Sequence, residues 1–287
     1  ITSKVGMPLG GIGTGSMEIH ADGRLHDWNI FNNGLWAGDQ LNRTPAMFNE
    51  DAACCLHWRA EGAPATVRWL HHGQHRYGAA DPRHITPSIY TFPYMREVES
   101  IRYSSRFPVA RLEFEDSALP LEIGLEAYSY FLPGNAPDSG LPVARLRYRV
   151  RNTTERPGHV CISYTLRNFV GWDSIRELPL EHRLLRHDNC RTILMRGSDE
   201  LDPLAPSTGS LALSLDDPDA GYLLAWSDGK GLAGCPNADT PGYGHFAQAM
   251  LAGALPGGPE EWSRTCVPRS KTQGEVKECC GSTPIEL

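Results

Sequence analysis

The sequence predicts an all-β fold built from two packed antiparallel sheets. Short segments in which apolar and polar residues alternate recur along most of the chain. Alternation with a period of two buries one face of a strand and leaves the other face in water. Gly, Pro, Asp and Asn separate these segments, and patterning typical of helices is scarce. Many short strands bounded by turns are typical of a two-sheet β-sandwich.

The clearest strand covers residues 144–151. Leu146, Tyr148 and Val150 occupy even positions and arginines occupy the odd ones. A helix of 3.6 residues per turn would not place this apolar set on one face. Residues 160–167 alternate in the same way after a polar turn, so we predict that the two strands form an antiparallel hairpin.

A second hairpin is predicted from two alternating segments, 110–115 and 119–126, with a short turn at Asp116. The glutamates on the polar faces of both segments are interpreted as solvated surface charges: Glu113, Glu115, Glu122 and Glu126. Further strands are predicted at residues 16–20, 24–31, 66–70, 98–103, 191–196, 210–215 and 221–226. Helical turns are expected only near 45–59 and 245–255.

The periodic pattern ends near Pro256. The run Pro256-Gly257-Gly258-Pro259 leads into a polar stretch without alternation. We therefore predict a β-sandwich domain over residues 1–257 and a divergent polar tail over 258–287, as linker or disordered segment.

Composition excludes several classes of protein. The chain has 287 residues, 40% of them hydrophobic, which is enough for a sizeable core. With 34 acidic and 27 basic residues and no long basic run, nucleic acid is not an expected partner. No window approaches the roughly 18 apolar residues of a membrane span. Eight irregularly spaced cysteines are expected to be mostly reduced, and the expected location is the cytoplasm.

A glycine-rich run lies near the start of the chain and contains Gly10, Gly11, Gly13 and Gly15. A dinucleotide-binding loop must follow a strand and open a helix, and the flanks of this run do neither. We therefore expect no cofactor here. The preferred interpretation is that these glycines let the backbone pack closely against another surface.

Four histidines, His57, His71, His72 and His75, do not have the spacing of a zinc site, since Gly73 interrupts them and no HExxH motif is present. They are interpreted as solvated loop residues, and no metal is expected. The Gly-x-Ser-x-Gly motif of serine hydrolases is also absent.

The segment 24–34 interleaves aromatic and amide side chains, which would suit stacking on sugar rings and hydrogen bonds to hydroxyl groups. Three alternatives stay open: a strand whose Trp28 and Phe31 are in the core, a domain interface, or direct sugar contact. The candidates for a substrate rim or a domain interface are His26, Trp28, Asn32 and Asn33.

Several stretches resemble, in the same order, the N-terminal domain of glycoside hydrolase family 116. That family includes bacterial β-glucosidases and the non-lysosomal glucosylceramidase. The similar stretches cover residues 7–19, 22–32, 107–111, 116–122, 138–143, 151–154 and 168–171, with a further one at 245–255.

The resemblance implies a β-sandwich packed on a C-terminal (α/α)6 barrel that cleaves β-glucosides with retention of configuration. The nucleophile and the acid/base would belong to the barrel, so no residue of this chain is assigned a catalytic role. We expect an inactive scaffold domain with an apolar patch near Gly10–Gly15 and Trp28. The alternatives are a free-standing carbohydrate-binding module and an enzyme with its carboxylate pair inside the sandwich.

Overall fold

The computed structural model describes residues 6–30, 52–72, 96–168, 170, 180–197, 202–205, 208–223 and 278–286. More than half of these residues lie in strands and only four lie in a helix, which confirms the predicted all-β class. Several antiparallel sheets are consistent with a β-sandwich. The chain divides into two compact units. Unit 1 contains residues 1–44 and 68–158, and unit 2 contains residues 45–67 and 159–286.

The strands are, in chain order, β1 (Met7–Leu9), β2 (Ser16–Ile19), β3 (Leu25–Asn29), β4 (Ala52–Ala60), β5 (Thr66–Trp69), β6 (Arg96–Glu97), β7 (Ser100–Arg106), β8 (Val109–Glu115), β9 (Leu121–Tyr128), β10 (Arg145–Asn152), β11 (Gly158–Arg167), β12 (Leu180–Arg186), β13 (Arg191–Gly197), β14 (Ser210–Leu215), β15 (Gly221–Leu223) and β16 (Glu278–Glu286). One helical turn, α1 (Ala136–Ser139), follows β9. No helix among the described residues has the length and apolar content to cross a membrane.

Unit 1 contains two antiparallel sheets, one of strand order β1-β2-β3 and one of order β10-β9-β8-β7. The predicted hairpin between β8 and β9 is confirmed, with Leu112 opposite Leu125. The predicted hairpin between residues 144–151 and 160–167 is wrong. Strand β10 pairs with β9, and β11 pairs with β16. Alternation determines which face of a strand is buried, but it carries no information about the neighbouring strand.

The inward face of the four-stranded sheet is the clearest part of the unit 1 core. Leu112, Phe114, Ile123 and Leu125 are all buried. The opposite face carries cross-strand ion pairs: Arg102 with Glu113 and Glu115, Arg111 with Glu126, and Arg151 with Glu122. The interpretation as surface charges is confirmed for Glu113, Glu115 and Glu122, which are exposed, whereas the Glu126 side chain is only 25% exposed. Exposed ion pairs of this kind add little stability.

Unit 2 contains a run of strands in the order β15-β16-β11-β4 and a separate antiparallel sheet of order β12-β13-β14. The helical turns expected near 45–59 are wrong for the described residues 52–60, which form the extended strand β4. Its consecutive residues Cys54 to Trp58 are all buried. A strand buried on both faces does not alternate, and its apolar run is easily read as a short helix.

The expectation of an irregular tail is wrong for residues 278–286, which form β16. This strand pairs with β11 over its whole length, from His159 opposite Glu286 to Arg167 opposite Glu278. Pairing through backbone groups requires no apolar alternation in the added strand. The domain boundary at residue 257 stays a prediction, and the segments 224–226 and 245–255 lie outside the described residues.

We expect Leu125→Ala to lower the free energy of unfolding by about 2–5 kcal/mol, because it leaves a cavity at a side chain that is 2% exposed. The control is Leu204→Ala, where the leucine is 89% exposed and the change should be below about 0.5 kcal/mol. Urea denaturation measures both variants. Equal losses would contradict the burial of this sheet face.

Candidate functional site

The glycine-rich run forms the loop between β1 and β2 and is held against the segment that follows β9. The Gly10 backbone N–H donates a hydrogen bond to Ser129 Oγ at 2.6 Å. The Ile12 backbone N–H donates to the Ser139 carbonyl oxygen at 2.8 Å. These two bonds fix the loop on residues 129–139 of the same unit.

Little space surrounds three of the four glycines. A Cβ atom on Gly11 would lie 2.5 Å from the carbonyl oxygens of both Gly140 and Leu141. A Cβ atom on Gly10 would lie 2.4 Å from the Gly15 carbonyl oxygen, and one on Gly15 would lie 2.9 Å from the backbone of β3. Gly13 has open space around it, but its φ of +77° favours glycine. The loop therefore packs more closely on its neighbours than residues with side chains would permit.

Beside this loop lies an apolar depression, which we call the glycine-loop groove. It is lined chiefly by Leu9, Gly11, Ile12, Phe107, Pro108 and Phe131. The Phe107 and Phe131 rings meet edge to face with their centroids 5.0 Å apart. Ile12 is 62% exposed and Phe107 is 54% exposed, so large apolar surfaces face solvent here.

The groove is too small and too apolar for an enclosed ligand site. Its volume of about 170 Å³ is below the roughly 300–1,000 Å³ of small-molecule pockets. The polar side chains that line it are Ser16, Ser129 and Tyr130, and the Ser129 hydroxyl already accepts a hydrogen bond from Gly10. No carboxylate, amide or imidazole lines it. Its chemistry suits contact with another apolar surface.

The predicted rim residues have different environments. Trp28 is 2% exposed, and its Nε1–H donates to the Leu25 carbonyl oxygen at 3.1 Å. Of the three alternatives for this segment, Trp28 therefore fits the strand with a core side chain. His26 is partly buried, with Nε2 2.8 Å from Asp22 Oδ2. Burial favours the neutral form of Asp22, but His26 and Arg24 outweigh it and hold the pKa of this carboxyl below its usual value. Phe31, Asn32 and Asn33 lie outside the described residues.

The interpretation of the histidines as solvated is wrong for His57 and His71, which are both buried. His57 lies in β4, and His71 lies two residues beyond the end of β5. His72 is exposed, as expected, and His75 lies outside the described residues. The adjacent glycine and polar residues suggested a loop, whereas burial here depends on segments distant in sequence.

His71 belongs to a buried charged group that the sequence analysis did not find. Arg24, only 6% exposed, places Nη2 3.1 Å from His71 Nδ1 and 3.2 Å from Glu97 Oε1. Burial and the nearby Arg24 charge lower the pKa of His71 to about 4, against the opposing effect of Glu97. The imidazole is therefore neutral at pH 7, and its Nδ1 can accept a hydrogen bond from Arg24. The three residues are far apart in sequence, and no local pattern connects them.

A second group lies on the β2–β3 hairpin. Glu18, His20 and Asp27 each provide one potential ligand atom, and these atoms lie within 4.8 Å of one another. Among the described residues, this is where a metal ion could find three ligands. No ligand spacing in the sequence indicates this group, because an irregularity between β2 and β3 brings Asp27 to the other two residues.

The described residues define an all-β domain with an exposed apolar groove. A family model described as the N-terminal domain of beta-glucosidase 2, glycosyl-hydrolase family 116, matches residues 6–229. The chain belongs to this family, as its N-terminal domain. No curated protein matches the chain.

We expect Gly11→Ala to lower the free energy of unfolding by about 1–3 kcal/mol, since the added methyl group meets two backbone oxygens that cannot rotate away. Gly124→Ala is the matched control. Its nearest neighbour would be at an ordinary 3.7 Å, and the change should be neutral or slightly stabilising. Urea denaturation of both variants checks this. A Gly11→Ala protein as stable as the Gly124→Ala protein would contradict close packing of the loop.

The low pKa of His71 predicts a pH-dependent stability. Between about pH 6.5 and pH 4 the unfolded chain protonates this histidine and the folded chain does not, so the free energy of unfolding falls as the pH decreases through this range. The loss from this residue should be about 3 kcal/mol. His71→Asn should flatten the dependence by that amount, and His72→Asn, at an exposed position, should not. Identical pH profiles for both variants in urea denaturation would refute the assignment.

Proposed function

We propose that this chain is the N-terminal supporting domain of a retaining β-glucoside hydrolase of the β-glucosidase or glucosylceramidase type. It docks through the glycine-loop groove on the helical catalytic domain of that enzyme. The family match over residues 6–229 supports the first statement. The exposed apolar groove beside a loop fixed by close packing is the observation that carries the second.

Contact with another protein surface explains the exposed apolar side chains of the groove better than exposure to water does. Ile12, Phe107 and Phe131 expose apolar area next to one another, and Leu132, Leu141 and Val143 extend it along the segment that supports the loop. Burying one large apolar side chain contributes about 1.5–3 kcal/mol. Contiguous exposed apolar area of this kind is typical of interaction surfaces. The patch expected near Gly10–Gly15 is therefore the proposed docking surface, whereas Trp28 lies in the core.

An active site within this chain is the less favoured alternative. A retaining glycosidase needs two carboxyl groups about 5–5.5 Å apart on either side of the scissile bond. The carboxylates of Glu18 and Asp27 are close enough, but both are directed to His20 Nε2, and neither lines the groove. The catalytic pair is assigned to the partner domain for this reason.

A free-standing carbohydrate-binding module is the second alternative. The Phe107 and Phe131 rings could stack on a sugar, but the groove has few groups for its hydroxyls. We propose that β-glucoside substrates are bound by the catalytic domain. We also propose a cytoplasmic location, which the free thiols of Cys55 and Cys190 support.

We expect the chain to co-purify with the helical domain of a family 116 β-glucosidase when the two are expressed together. Ile12→Ser/Phe131→Ser should reduce recovery of the partner at least tenfold, because it removes apolar contacts at two exposed positions of the groove. Leu204→Ser, at an exposed leucine outside the groove, is the control and should have no effect. No co-purification, or equal recovery with all three chains, would contradict docking through the groove.

Two assays of the chain alone separate the alternatives. Titration with methyl β-glucoside in a calorimeter should give no saturable heat, whereas a carbohydrate-binding module would bind. Incubation with 4-nitrophenyl β-glucoside should release no nitrophenol. Turnover that Glu18→Gln or Asp27→Asn abolishes would replace the scaffold proposal by an active site on the β2–β3 hairpin.

A further inference from the structure

Glu18, His20 and Asp27 form a compact group, which we call the hairpin cluster. His20 Nε2 lies 3.2 Å from Glu18 Oε2 and 3.6 Å from Asp27 Oδ2. We propose that the hairpin cluster is a binding site for a divalent transition-metal ion, zinc above all. One imidazole and two carboxylates would be its protein ligands, with a further position open to water.

The two separations measured from His20 Nε2 fit one small ion, and the carboxylate oxygens of Glu18 and Asp27 lie within 4.8 Å of each other. A tetrahedral zinc ion with bonds of about 2.0–2.2 Å places neighbouring ligand atoms about 3.3–3.6 Å apart. The two measured distances from His20 Nε2 are close to that range. An imidazole ligand also favours zinc over calcium or magnesium, which bind oxygen ligands.

A salt bridge alone accounts poorly for the convergence of both carboxylates on one nitrogen. Nε2 of an imidazole or imidazolium has a single hydrogen to donate, so it can satisfy one of Glu18 and Asp27 with good geometry. The second carboxylate then faces the first without a bond of its own from His20. A divalent cation between the three groups would compensate both negative charges, since a bound ion is usually the largest charge of its site.

A local irregularity of the sheet assembles the cluster. Glu18 and His20 are two residues apart and therefore point to the same side. Glu18 pairs with His26, so in a regular hairpin Asp27 would point to the opposite side. The β2–β3 register shifts between Ser16 and Glu18, and Asp27 has a φ of +49°, which is rare for a residue other than glycine. Bulges of this kind redirect a side chain, and here the Asp27 carboxylate reaches the histidine side.

The surroundings of the cluster hold its ligands and leave access for an ion. The Gly6 backbone N–H donates to Glu18 Oε2 at 3.1 Å, as groups around a metal site do to orient ligands. A Cβ atom on Gly6 would lie 2.3 Å from His20 Cδ2, so glycine lets the backbone close on the imidazole. The His26 ring packs on that of His20 with centroids 4.3 Å apart. The Asp27 side chain is 61% exposed, which opens the site to solvent.

Zinc titration of the purified chain, after treatment with a chelator, tests the proposal. The wild-type chain should bind one equivalent of Zn²⁺ in a calorimeter, and Asp27→Asn and Glu18→Gln should each weaken that binding at least tenfold. Glu115→Gln, which removes an exposed carboxylate of the four-stranded sheet, is the matched control and should bind as the wild type does. Asp27→Asn replaces an exposed side chain by one of equal size, and an unchanged circular dichroism spectrum would verify its fold.

Cysteine thiolates are the competing zinc ligands in this chain, and Co²⁺ distinguishes them. The Co²⁺ protein should show no sulfur-to-metal charge-transfer band, and blocking thiols with iodoacetamide should leave the Zn²⁺ isotherm unchanged. Zn²⁺ should also raise the melting temperature of the wild type more than that of Asp27→Asn. Absence of binding, equal binding by wild type and Asp27→Asn, or loss of binding on thiol blocking would each overturn the proposal.

Discussion

The inward face of the four-stranded sheet in unit 1 is the constraint on which the glycine-loop groove depends. Leu112 and Leu125 are paired across β8 and β9, and their burial requires both strands to stay extended and in register. In that register the β7–β8 turn, which contains Phe107, and the end of β9 at Tyr128 lie at the same end of the sheet. Phe131 and Phe107 can therefore meet there and form one wall of the groove.

The small β1-β2-β3 sheet connects the groove to the hairpin cluster. The loop that precedes β2 leans on Ser129 and Ser139, whereas the residue that follows β2 is His20 of the hairpin cluster. Two different functions are thus proposed for the surroundings of one four-residue strand. Gly10 and Gly11 let the loop beside the groove pack closely, and Gly6 lets the backbone approach His20 of the hairpin cluster. A side chain at any of these positions would prevent the approach.

The buried charged group of Arg24, His71 and Glu97 in unit 1 forms contacts between segments that are distant in sequence. A cation as buried as Arg24 is costly unless it is paired, and Glu97 on β6 and the neutral His71 after β5 provide its partners. The ion pairs on the outer face of β7–β10 differ in kind, since they are exposed and contribute solubility more than stability. The group around Arg24 therefore specifies which segments pack together, whereas substitutions in the exposed ion pairs should change stability little.

The sequence by itself determined where the alternating strands lie and which face of each is buried, because period-two alternation is a property of neighbouring residues. Strands β8, β9 and β10 and the solvated glutamates follow from it directly. The sequence did not indicate β4 or β16, which lack that alternation. It also did not determine strand partners, since β10 alternates identically whether its neighbour is β9 or β11. Only the tertiary structure buried His71 beside Arg24 and turned Asp27 towards His20, because burial and a bulge depend on contacts between segments that no local pattern records.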